Sequence, residues 1–110
     1  MKKVKQITFN SGYLKIDNRN DEGKRITVFQ KVPFEEETVT ENRFNAALST
    51  DVRISKVIHI PYQRLIEELI MHNSIVTIQN DDFEIWKKQP ILTTAPPIIV
   101  LQLKEQEYGS

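Results

Sequence analysis

A small antiparallel β-barrel of about six strands, with one short helix and a long polar loop, is the fold class this sequence predicts. Three observations carry that expectation. Residues 51–61, D-V-R-I-S-K-V-I-H-I-P, alternate apolar and polar side chains over the length of a strand. Short β-branched segments recur along the chain, bounded by Gly, Pro, Asn or Asp. A single stretch, residues 62–71, changes to helical spacing. A two-sheet sandwich is the runner-up architecture for the same pattern.

Taken in order, residues 4–9 and 13–16 read as strand material broken at Ser11-Gly12. Residues 17–23, D-N-R-N-D-E-G, concentrate turn-forming and charged residues and predict a loop. Residues 25–32 resume as a strand with Ile26 and Val28 in phase. Pro33 and the acidic triplet Glu35, Glu36 and Glu37 then open a long flexible loop, residues 35–50, whose apolar members are Phe44 and Leu48. A connection of that length in a small domain points to function or mobility.

In the central strand, Val52, Ile54, Ile58 and Ile60 share one face, interrupted by Lys56. Asp51, Arg53, Ser55 and His59 take the other, with Val57 as the exception. Pro61 ends it, because proline donates no ladder hydrogen bond. Leu65, Ile66, Leu69 and Ile70 then form one helical stripe, with Glu67 and Glu68 opposite. Residues 74–79 are extended again, and Asn80-Asp81 predicts a tight turn into residues 82–87, with Phe83 and Ile85 on a common face. Pro90, Pro96 and Pro97 punctuate the approach to the last strand, residues 98–103, and residues 104–110 predict a frayed tail.

A length of 110 residues fits one domain. Fifteen basic and fifteen acidic residues cancel, which argues against a general nucleic-acid binder and leaves little self-repulsion between copies. The absence of cysteine excludes disulfides, thiolate catalysis and cysteine-ligated zinc. Lys2, Lys3 and Lys5 have no apolar run behind them, and residues 98–101 are too short to span a bilayer. The expectation is a soluble intracellular product.

Each candidate chemistry has a plainer competitor. Asn18, Asn20, Glu22 and Gly23 fit the start of a calcium loop, but its twelfth position is Phe29 rather than a bidentate carboxylate, so a solvated turn is favoured. Asp81, Asp82 and Glu84 could hold a divalent metal for hydrolysis, yet turn chemistry explains acids at a hairpin tip. His59 and His72 lie in no metal-spaced motif, and no serine sits in a nucleophile elbow. No catalytic residue, metal or cofactor is nominated, and no enzyme activity is expected. Trp86 and Phe83 beside Lys87 and Lys88 could form a base-stacking platform of a small nucleic-acid-binding module, the alternative function. A lone tryptophan is more often a core or interface anchor.

The order of features resembles the small head-closure (head-completion, or stopper) proteins of long-tailed bacteriophages, related to the head–tail adaptor family. The residues that carry it are I-T-F at 7–9, D-E-G at 21–23, the polar segment 35–50, I-P-Y at 60–62 and S-I-V-T-I at 74–78. The Asn-Asp turn before Asp82 and the helical connector at 62–71 depart from the adaptor pattern. The resemblance implies a structural, non-catalytic virion protein made in the host bacterial cytoplasm. Such proteins assemble as a homo-oligomeric ring below the portal and its adaptor, retain packaged DNA and present a surface to the tail terminator, with no membrane involved. On that model Glu35, Glu36, Glu37, Arg43 and Phe44 form the lumen or assembly loop, and Trp86, Phe83 and Tyr62 the interface.

Overall fold

The computed structural model describes residues 6–37 and 54–106, in which alternating apolar residues build six strands and one helix. These are β1 (Gly12–Arg19), β2 (Arg25–Glu37), β3 (Lys56–Pro61), α1 (Arg64–Leu69), β4 (Ile75–Ile78), β5 (Asp81–Ile91) and β6 (Ile98–Glu105). All pairings are antiparallel, in the order β1-β2-β3-β6-β5-β4. Lys15, Ile16 and Asp17 of β1 pair with β4 and close the sheet into a barrel, as the sequence predicts.

Inward side chains follow the period of two expected of a strand. Leu14 and Ile16 of β1, Val32 and Phe34 of β2, Ile58 and Ile60 of β3, and Ile99, Leu101 and Leu103 of β6 share one core. Fully burying each such side chain contributes on the order of 1.5–3 kcal/mol. The helix adds Ile66, and its C-cap residue Ile70 joins the same core, whereas Leu65 and Leu69 remain 63% and 41% exposed. The four-residue apolar stripe is thus split. Within the six-residue helix only Ile66 is buried; Ile70 reaches the core from the extended C-cap position, and Leu65 and Leu69 are left on the outer side.

A second, smaller core lies outside the barrel. Val57, Ile98 and Val100 point outward from β3 and β6 and bury themselves with Ile54. Ile7, Phe9, Trp86 and Ile91 pack over them. Val57, placed by alternation on a polar face, is therefore 1% exposed. The strand is covered on both sides, and strict alternation fails where both faces are buried.

Several boundaries differ from the sequence reading. Among the described residues, the first segment contributes a single bridge, Gln6 to Ala95, instead of a full strand. Asp17, Asn18 and Arg19 belong to β1, and the turn is confined to residues 20–24. Strand β2 continues through Pro33 and the acidic triplet: Glu35, Glu36 and Glu37 pair with His59, Ile58 and Val57. Only β1 flanks Pro33, so its missing N–H need not interrupt a second ladder. The loop expected over 35–50 therefore does not begin at Glu35; its remainder from residue 38 lies outside the described residues. Pro90 likewise lies within β5, where β6 is the one paired neighbour. Lys104 and Glu105 belong to β6, paired with Glu84 and Phe83, rather than to a frayed tail; residues 107–110 are outside the description.

The hairpin turn is one position earlier than expected. Ile78 pairs with Asp81, leaving Gln79 and Asn80 as the two turn residues, both at positive φ (50° and 71°). Two successive left-handed residues are the signature of a type I′ turn, whose twist matches the flanking strands.

Candidate functional site

Each member of the acidic triplet is engaged within the described chain. As part of β2, Glu35 lies beside residues 8–11. The Glu35 carboxylate accepts the Asn10 backbone N–H at 2.8 Å and the Ser11 hydroxyl at 3.4 Å. Ser11 in turn accepts the Glu36 backbone N–H at 2.8 Å. Lys56 pairs with Glu36 at 3.0 Å. His59 sits between two acceptors, with Nδ1 3.3 Å from Glu37 Oε2 and Nε2 3.1 Å from the Thr8 carbonyl oxygen. Phe9 meets the His59 ring edge-on at 5.5 Å. The triplet thus clasps the segment before β1, a use that its charge alone did not signal. Arg43 and Phe44, grouped with it from the sequence, lie outside the described residues.

A second constellation joins both ends of the β1–β2 and β4–β5 hairpins. Arg25 donates to Asp17 Oδ2 through Nε and Nη2 at 3.2 and 2.9 Å, and through Nη1 to Asp82 Oδ2 at 2.8 Å. Thr77 donates its hydroxyl to Asp82 Oδ1 at 2.6 Å. The Arg25 and Thr77 hydrogen bonds lower the Asp82 pKa below its ordinary value, and Asp82 in turn raises that of Arg25. Asp17 is 2% exposed, and the Arg25 guanidinium is paired with it at 2.9 Å. Glu84 faces Lys104 at 3.6 Å. Of the acids considered as metal ligands, Asp82 and Glu84 are thus each paired with a cation, and no group of three or more metal-capable side chains occurs among the described residues.

The turn residues behave as turn residues. The Asn20 side-chain oxygen accepts the backbone N–H groups of Glu22 and Lys24, each at 2.9 Å. This is the local Asx hydrogen bonding that favours asparagine in turns.

The aromatic residues nominated for an interface separate. Phe83 is 8% exposed and sits in the barrel core, so it presents no interface side chain. Tyr62 is half-buried against the same core, and its hydroxyl, donating to Glu67, has its pKa raised. Trp86 falls where the β5–β6 register shifts between Ile85 and Lys87. Alternation from the inward Ile85 points it outward onto the second core. His72 packs edge-on against it at 5.3 Å, and Lys104 Nζ lies 5.6 Å from its ring centre. The base-stacking platform therefore loses Phe83 and keeps a half-buried Trp86.

One exposed apolar surface was missed. Leu65 and Leu69 share the outer face of α1, followed by Met71, 59% exposed. Asn18 donates to the Leu69 carbonyl at 2.8 Å, and Ile26, 49% exposed, stands opposite Asn18 in the β1–β2 ladder. The signal available in the sequence was the segment's own excess of apolar residues: Leu65, Ile66 and Leu69 in a six-residue helix, with Ile70 and Met71 directly after it, exceed what one face can bury.

Among the described residues, no helix is long and apolar enough to cross a membrane. No protein-family model matches the chain, and no curated protein matches it in sequence.

Proposed function

We propose that this chain is a structural, non-catalytic subunit of a bacteriophage head–tail connector, a head-closure protein that acts as a ring. The order of sequence features resembling that family motivates the reading, and a small closed barrel is compatible with it. The observation that carries it furthest is the division of the surface. The described acidic and basic clusters are largely spent on internal clasps, whereas Leu65, Leu69, Met71 and Ile26 are left exposed around one helix end. An exposed apolar cluster of this kind marks an assembly surface more readily than a catalytic cleft.

On this reading the ring sits below the portal and adaptor, retains packaged DNA and offers its far side to the tail terminator. Glu35, Glu36 and Glu37 are assigned no DNA-facing role, because they hold residues 8–11, Lys56 and His59.

Co-sedimentation of the purified protein with DNA-filled, tailless heads of the phage that encodes it tests the proposal, against empty proheads and free DNA. Retention on filled heads with reduced DNA leakage is expected, and Leu65→Glu with Leu69→Glu abolishes it while leaving the fold intact. Absence of head binding by the wild-type chain overturns the reading. Binding to free DNA alone, weakening steeply with salt, identifies a nucleic-acid module instead.

A further inference from the structure

Residues 6–11 lie on the outside of the barrel and are bound there as an extended peptide would be. Ile7 and Phe9, two positions apart, both seat on the second core. The main chain meets a partner at Ile7, Thr8, Asn10 and Ser11. The Ile7 N–H donates to the Ala95 carbonyl at 3.2 Å, and the Thr8 carbonyl faces His59 Nε2 at 3.1 Å. The Asn10 N–H donates to Glu35 at 2.8 Å, and the Ser11 N–H donates to the Phe34 carbonyl at 2.9 Å. Alternate side-chain seats combined with main-chain hydrogen bonds are the way a sheet surface recognises an extended segment.

These partners come from β2, β3 and the loop before β6, none of them from β1, which the segment enters. The junction is Gly12, at φ +123°, a conformation that glycine adopts freely. A Cβ built there would meet Phe34 at an ordinary 3.7 Å, so the chain direction at this point is set by backbone torsion and not by packing.

We propose that this outer groove is an exchangeable peptide site, occupied in trans by residues 6–11 of a second copy. Each contact made within one chain is reproduced when the segment reaches a neighbour. The balance between the two states then turns on the Gly12 hinge and on protein concentration. The segment itself specifies the occupant, since it already fits the seats, and a net charge of zero leaves little repulsion between copies. The inference does not rest on the connector reading: it is tested in solution with no phage component, so either can fail while the other stands.

The chain has no cysteine, which makes the test direct. Gln6→Cys and Ala95→Cys, at the two exposed residues joined by the bridge, are purified separately, mixed and oxidised. A disulfide linking position 6 to position 95 can then form only between copies. The expected result is a mixed covalent dimer several-fold above the homodimer background of either variant alone, with the excess lost when Phe9→Ala is added to the Gln6→Cys chain. A mixed dimer at background overturns exchange. As a second measurement, the double variant oxidised at high dilution locks the segment in its own groove. The wild type is expected to associate as concentration rises while the locked chain stays monomeric; equal association of the two overturns the proposal.

Discussion

Glu35 and Asn10, 25 positions apart, are joined by a 2.8 Å hydrogen bond from the Asn10 backbone N–H to the Glu35 carboxylate. A charged acceptor makes such a bond stronger than a neutral one. The same carboxylate takes the Ser11 hydroxyl, so one side chain of β2 fixes the entry to β1. Glu35→Ala is expected to cost about 1–2 kcal/mol of local stability. Amide hydrogen exchange at Asn10 should accelerate while Ile58, in the barrel core, keeps its protection; an unchanged Asn10 rate would show that Ile7 and Phe9 alone hold the segment.

The Arg25–Asp82 pair makes a specific acid dependence. The Asp82 pKa is lowered in the folded chain, so its contribution is fully present above the unfolded-state value, about 3.9. It is lost as pH falls through the lower folded value. Asp82→Asn is expected to cost about 1–2 kcal/mol at neutral pH. In urea titrations the gap between wild type and variant should close as pH falls below about 4. A gap that stays constant to lower pH would assign the effect to the Thr77 hydrogen bond instead of to charge.

The barrel was legible because its inner faces obey alternation: Leu14 and Ile16, Ile58 and Ile60, and Leu101 and Leu103 are all core residues at spacing two. What escaped were places where a second physical effect overrides that period. Val57, Ile98 and Val100 face a core outside the barrel, which a strand-by-strand reading cannot see because its cover comes from residues 7 and 9. Trp86 is a different case: three positions from Phe83, it falls on the opposite face of β5 by alternation alone, so the two aromatics grouped by nearness in sequence do not share a surface. Glu35, Glu36 and Glu37 looked like loop because three adjacent acids disfavour a strand. Their partners, at Asn10, Lys56 and His59, are distant in sequence and emerge only in the closed fold. For the same reason the clasp on residues 8–11 was invisible from the sequence.

Lys88 supports the C-terminal end of a helix whose N-terminus is weakly capped. The N-cap residue Gln63 makes no side-chain capping bond, and α1 is six residues long, well below the length at which a helix is stable alone. The Lys88 ammonium donates to the Glu67 carbonyl and, at 3.0 Å, to the Ile70 carbonyl, satisfying acceptors at the helix end. Lys88→Met keeps the aliphatic stem and removes the donor. It is expected to cost about 1–2 kcal/mol and to speed exchange of the Ile70 amide, which donates to the Ile66 carbonyl at 2.9 Å. Unchanged exchange would mean that burial of Ile66 and Ile70 holds the helix by itself.

The β4–β5 turn holds stability that the sequence leaves unused. Gln79 and Asn80 both adopt positive φ, at 50° and 71°. Asparagine tolerates this region, whereas a residue such as glutamine carries a left-handed penalty of roughly 1–2 kcal/mol. The combination favoured for a type I′ turn is Asn followed by Gly. Gln79→Asn with Asn80→Gly should therefore raise stability by about 1 kcal/mol, a gain in melting temperature of about 4 °C for a domain of this size. Gln79→Val should move the midpoint the other way, because a β-branched side chain is poorly accommodated at positive φ. Thermal denaturation of the two variants beside the wild type separates the outcomes. Opposite shifts assign the strain to Gln79, and a drop in both would mean that its side chain contributes more to the hairpin than its backbone conformation costs.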